Sequence, residues 1–133
     1  MKTDVCVIGA GASGLIASIF AGADGASVAI IESNTSAGVK LQKTGGQRCN
    51  LTHAGSVDEM VRAYDKYGRF LRFCLHEFSN DKVMGFFKEH NLEVRVHKDG
   101  CVFPVTERAA DVVRVLVDCA RREGVDFVYG KKV

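Results

Sequence analysis

Proline occurs once in the 133 residues, and no apolar stretch approaches the ~20 consecutive residues that cross a bilayer. With 47% hydrophobic and 26% charged residues, this scarcity of proline excludes a disordered or collagen-like chain and predicts a packed globule. A charge excess is also missing. Eighteen Lys and Arg against sixteen Asp and Glu leave +2, too little to favour nucleic acid or an anionic membrane as partner. The five cysteines, at positions 6, 49, 74, 101 and 119, form no C-x-x-C and have no histidine at zinc-finger spacing, which argues against a structural metal. The start of the chain lacks the charged segment, apolar segment and cleavage site of a signal peptide, so it reads as cytoplasmic with reduced thiols. The length suits one domain, 1–133, and not two.

What is present begins with Asp4 to Ile8, apolar and β-branched after its first residue, as expected of a strand covered on both faces. Ala12 to about Gly22 places Leu15, Ile16, Ile19 and Phe20 at helical spacing among small residues. Ser27 to Glu32 is a second apolar strand closed by one acid. Between the first strand and the helix stands Gly9-Ala10-Gly11-Ala12-Ser13-Gly14, a G-x-G-x-x-G. The first glycine permits the turn, the second lets a pyrophosphate approach the backbone, and the third lets helix and strand pack closely. The free amides and dipole of the helix start attract the phosphates. Glu32, at the end of the next strand, is placed to accept ribose hydroxyls and to repel the 2′-phosphate of NADP, which favours FAD or NAD. The bland alternatives are a glycine turn that binds nothing and a solvated strand-end acid.

Ser33 to Gly55 shows no periodicity and reads as a binding loop. It carries Lys40, Lys43, Arg48 and His53, with no Asp or Glu between Glu32 and Asp58. Gly45-Gly46 can pass close to a flat or charged ligand, while Lys40, Arg48 and the Thr44 hydroxyl offer donors free of a competing acid. Ser56-x-x-Glu59 then predicts a capped helix burying Val57, Met60, Val61 and Tyr64. A second helix, Arg69 to Phe78, would bury Phe70, Leu71, Cys74, Leu75 and Phe78. A third, Asn80 to His90, starts at Ser79 and stops at Asn91. Lys98-Asp99-Gly100 predicts a hairpin between Leu92–His97 and Cys101–Phe103, ended by Pro104. Thr106 would cap a long helix to Glu123, followed by Gly124 and a third buried strand, Val125 to Tyr129.

Cys49 lies far in sequence from every other cysteine, so a dithiol relay beside a flavin is not expected. Cys6, Cys74 and Cys119 fall on apolar faces and read as core residues. No catalytic serine-histidine-aspartate set or carboxylate pair can be assigned.

The segments GAGASGL, IIES, GVKLQKTGGQRCNLTH and DGCVFPVTERAADVV resemble the YhiN/BaiN-like bacterial NAD(P)/FAD-dependent oxidoreductases over nearly the whole chain. The resemblance implies an α/β, Rossmann-like three-layer FAD/NAD(P)-binding domain with three parallel strands, extra helices and a small hairpin. It also implies FAD as cofactor, with NAD(P)H as a possible reductant in full-length members. Carried over position by position, Gly9, Gly11, Ala12, Ser13 and Gly14 would contact the pyrophosphate, and Glu32 with Ser33 the adenosine ribose. Lys40, Thr44, Gly45, Gly46, Arg48, Cys49 and Asn50 would lie near the flavin, and Val133 would touch adenine through its backbone. The sequence departs from the family at Gln47, His53 and Cys101, where glycine, asparagine and arginine are common. Members are several times longer, so the chain corresponds to the N-terminal part, without the substrate-side domain. Weak FAD affinity and self-association through an exposed sheet edge are expected. Two other readings remain open: an incomplete module that binds an ADP moiety or assembles with another chain, and an NAD-dependent dehydrogenase half.

Overall fold

The computed structural model describes residues 2–133. In chain order its elements are β1 (Val5–Ile8), α1 (Ala12–Ala23), β2 (Val28–Glu32), a 3-10 segment (Leu41–Gln47), β3 (Thr52–His53) and α2 (Val57–Ala63). A short 3-10 turn (Asp65–Tyr67) leads to α3 (Gly68–Glu77), α4 (Asn80–Glu89), β4 (Val94–Val96), β5 (Cys101–Pro104), α5 (Ala109–Arg122) and β6 (Asp126–Tyr129).

Two sheets organise these elements. In the first, β1, β2 and β6 lie parallel in that order, with Val5 beside Val28 and Ala29 beside Asp126. In the second, β5 lies between β3 and β4, both antiparallel to it. The core joins α1, β2 and α5 through Leu15, Ile19, Ile30, Val112, Leu116 and Ala120. This is the expected Rossmann-like arrangement, a parallel sheet carrying helices joined by crossover connections.

Several sequence expectations hold in detail. Ser56 and Glu59 form a reciprocal capping box, the Ser79 side chain accepts from the Lys82 amide, and Asn91 takes a left-handed conformation after α4. Others are corrected. β1 is covered on one face only: Val5 and Val7 pack on the core, whereas Cys6 is exposed and Ile8 is 61% exposed. Its apolar run therefore does not mark two-sided burial here. Residues 33–55 are not structureless, since they hold the 3-10 segment and β3, whose partners in β5 lie far along the chain and are invisible to local periodicity.

α2 has no fully buried residue and Tyr64 is exposed, while α3 leaves Cys74 exposed and Phe70 84% exposed. These two helices pack mainly on each other, so their apolar faces exceed the surface available to cover them. Thr106 does not cap α5. Glu107 donates its amide to the Pro104 carbonyl in a turn that delays the helix to Ala109, and Arg108 stands at its N-cap without a side-chain bond.

Candidate functional site

β1 and β2 end side by side, with Ile8 paired to Ile31, and the chain turns sharply after β1 at Gly9, whose φ is +94°. The Gly9 amide donates to the Ile31 carbonyl at 2.8 Å, tying the turn to β2. α1 then starts at Ala12. A methyl group at Gly14 would run into the Gly9 carbonyl oxygen, so only glycine lets the helix sit this close to the turn. Gly11 differs: a methyl there meets nothing within 4 Å, because that side of the backbone is open.

The Leu15 amide is the first of α1 to be satisfied, by the Gly11 carbonyl; the amides of Ala12, Ser13 and Gly14 have no acceptor among the described residues. The first turn holds no acid and the N-cap makes no side-chain bond. Three free N–H groups at the positive end of a twelve-residue helix are chemically suited to an anion. A cleft of about 420 Å³ opens on it, lined by Ile8, Gly9, Gly11, Ala12, Ser13, Gly14, Lys40, Leu41 and Thr44. Lys40 makes no ion pair among the described residues, so its charge is available there.

The loop that delivers Lys40 is held by its own backbone. The Gly38 amide donates to the Ala10 carbonyl at 2.8 Å, bringing the 3-10 segment against the glycine turn. Thr44 Oγ1 donates to the Leu41 carbonyl, and the Cys49 amide donates to the Thr44 carbonyl. Gly45, Gly46, Gln47 and Cys49 all have positive φ, a concentration of left-handed backbone that marks a shape imposed by its surroundings.

The structure divides the sequence-predicted residues into two groups. Gly9, Gly11, Ala12, Ser13, Gly14, Lys40 and Thr44 line one cleft. Gly45, Gly46, Arg48, Cys49 and Asn50 lie beyond it, on the side facing β5. Arg48 Nε donates to the Gly45 carbonyl, and the guanidinium stacks 4.7 Å from the Phe103 ring centre. Glu107 approaches Arg48 at 3.9 Å, so the loop does meet an acid, delivered from a distant turn. Asn50 Oδ1 accepts from the Val102 amide, and buried Cys49 packs in the core. Burial pushes the Cys49 thiol above its ordinary range, against a smaller opposing effect from the Thr44 hydroxyl, which keeps it a protonated packing group. Cys119 is buried as expected, whereas Cys6 and Cys74 are exposed, contrary to their reading as core.

Glu32 is 7% exposed and already bonded by the chain. Its Oε2 accepts from the Ala10 amide at 2.7 Å. Its Oε1 accepts from the Asn34 amide, Asn34 Nδ2 and Ser33 Oγ. The Asn34 and Ala10 amides hold the carboxyl below the usual carboxylate range, outweighing the opposite effect of burial. Sequence reasoning missed Ile8 and Leu41 as cleft residues, and Gly38 and Asn34 as supports; helical or strand periodicity signals none of them. Val133 is exposed, and the Lys131 amide just before it donates to the Glu32 carbonyl, which carries the chain out of β6 past the end of β2.

Among the described residues no cluster of metal-ligating side chains occurs, and no helix is long and apolar enough to cross a membrane.

Known proteins match this chain in sequence and in fold. The HI0933-like protein Rossmann domain matches residues 3–133. The chain is 33% identical over 129 residues to the 3-dehydro-bile acid delta(4,6)-reductase of Clostridium scindens, covering 96% of this chain and 31% of that protein. It is 28% identical over 126 residues to the ribosomal RNA dihydrouridine synthase of Escherichia coli, covering 95% and 31%. It thus spans about a third of the length of these relatives.

Among solved structures, Thermovibrio ammonificans THI4 is similar at a TM-score of 0.63 and 21% identity, over 97% of this chain and 38% of that one. The 3-ketosteroid-delta4-(5alpha)-dehydrogenase of Rhodococcus jostii RHA1 gives a TM-score of 0.65 at 15% identity, over 96% and 38%. At such identities these structures establish the fold alone. With the family match running through the glycine turn, the Glu32 strand end and the loop to Asn50, the chain belongs to the HI0933-like family as its FAD-type Rossmann domain.

Proposed function

We propose that this chain is the FAD-binding portion of an oxidoreductase, and that the cleft beside α1 receives the coenzyme pyrophosphate. The observation that carries this reading is the set of unpaired Ala12, Ser13 and Gly14 amides facing open space beside Gly11, with Lys40 on the same cleft. These groups suit a dianionic diphosphate: three neutral donors and a dipole fix its position, and one ammonium offsets charge. Glu32 receives a ribose hydroxyl and disfavours a 2′-phosphate, Ser33 supports that end, and the carbonyl or amide of Val133 meets adenine. Lys40 and residues Thr44 to Asn50 border the flavin, whose ring supplies hydride transfer when bound.

The protein's own contribution is to bind, orient and shield. The core of α1, β2 and α5 holds the turn rigid, and the inert Cys49 thiol keeps the loop packed without competing for electrons. NAD(P)H is the reductant we assign to the longer protein. Relatives named for a bile acid and for ribosomal RNA share this segment, so it supplies the coenzyme side of the reaction and the substrate is selected elsewhere. Because β1 and β6 are both sheet edges, self-association of the isolated chain belongs to the same proposal.

The test is titration with FAD, read by flavin fluorescence and thermal unfolding. Saturable binding that raises the unfolding temperature is expected. Gly11→Val should abolish it while leaving the circular dichroism unchanged, because Gly11 has φ of −81° and its Cβ would point into the open cleft. Stabilisation by NAD and not by FAD, or unaltered FAD affinity in Gly11→Val, would refute the assignment.

A further inference from the structure

Glu32 holds more donors than a strand-end acid requires, and they are unequally shared. Oε1 accepts from the Asn34 amide at 2.7 Å, from Asn34 Nδ2 at 2.6 Å and from Ser33 Oγ at 3.2 Å, whereas Oε2 accepts from the Ala10 amide alone. A carboxylate oxygen offers about two lone pairs, so Oε1 is saturated and Oε2 retains one free acceptor site. Asn34 is itself anchored from the opposite side, since its carbonyl accepts the Gly130 amide at 3.0 Å where the chain leaves β6. One exposed asparagine thereby links the ends of β2 and β6 and, through Glu32, the glycine turn.

We propose that Asn34 is a positioning residue of the adenosine site: by occupying Oε1 it fixes the Glu32 carboxylate so that Oε2 alone receives a ribose hydroxyl. The inference rests on the FAD reading above. No charged side chain pairs with Glu32 among the described residues. The groups facing it are the Ala10 amide from the glycine turn, Ser33 and Asn34 from the end of β2, and Tyr129 from β6. Burial raises the Tyr129 hydroxyl, against the opposing charge of Arg121 and with a smaller contribution from Glu32, so it stays neutral. The state of Glu32 is accordingly set by hydrogen bonds, and Asn34 supplies two of the four.

Asn34→Leu keeps the size and the backbone amide and removes Nδ2; Asn34→Gln restores an amide donor on a longer stem. Two readouts test the role. In the apo chain labelled with carboxyl-13C glutamate and assigned with Glu32→Gln, the Glu32 inflection should move to higher pH in Asn34→Leu and return toward wild type in Asn34→Gln. The Kd for FAD should rise about tenfold in Asn34→Leu, as fits a lost hydrogen bond to a charged group, and recover in Asn34→Gln. An unmoved inflection overturns the proposal, and so does one that moves while the Kd stays put, since Asn34 would then serve the fold alone. A wild-type chain that binds no FAD overturns the coenzyme reading instead, whatever the apo titration shows.

Discussion

Gly11 and Gly14 stand three residues apart and answer to different demands. Gly14 is required by packing, because its missing side chain is where the Gly9 carbonyl lies. Gly14→Ala should therefore destabilise the fold by roughly 2–3 kcal/mol, read from urea unfolding, as expected when a rigid backbone leaves an added methyl no room. Gly11→Val should spare stability and remove binding.

Glu32 adds a pH dependence whose sign follows from its lowered carboxyl. A group that titrates lower in the folded chain than in the unfolded one stabilises above the unfolded value, and that contribution disappears as pH falls through the folded value. Acidification below about pH 4.5, the ordinary carboxylate value, should lower the unfolding temperature of the wild type, with a shallower slope in Glu32→Gln. The turn at Gly9 and the close packing at Gly14 were legible in the sequence because each obeys a spacing rule tied to a mechanical task. Asn34 was not, because its role depends on Gly130, brought beside it only by the pairing of β2 with β6.

Among the elements, those defined by local chemistry were read well. The Ser56–Glu59 capping box, the Ser79 cap and the Lys98-Asp99-Gly100 turn all signal through neighbours within a few residues. Ser56→Ala should release the Glu59 amide and loosen α2, accelerating hydrogen exchange of its first-turn amides about fivefold with little change in the global unfolding temperature. The effect stays local because α2 has no fully buried residue. The misreadings share a cause. Thr106 looked like a cap until the Pro104–Glu107 turn displaced the start of α5, and the apolar faces of α2 and α3 revealed pattern without revealing what covers them. Periodicity reports what a segment could bury; only the tertiary partners determine what it does bury.

At the scale of the whole molecule, the parallel sheet has two edges, β1 and β6, unpaired among the described residues, and Cys6 and Ile8 leave part of one face open. Such an edge templates pairing with another strand. Sedimentation should show an average mass that climbs above 14.4 kDa with concentration, and Cys6→Lys should hold it near the monomer by placing a charge on the edge strand. The order of the strands has a further implication for synthesis. β2 lies between β1, close before it in sequence, and β6, about a hundred residues after it, so its second row of hydrogen bonds must await a strand synthesised much later. The α2–α3 pair and the β4–β5 hairpin can form early from near neighbours, whereas the corner built by Glu32, Asn34 and Gly130 matures only once that distant strand arrives. The glycine turn therefore forms well before the support at the end of β2 that steadies Glu32 beside it.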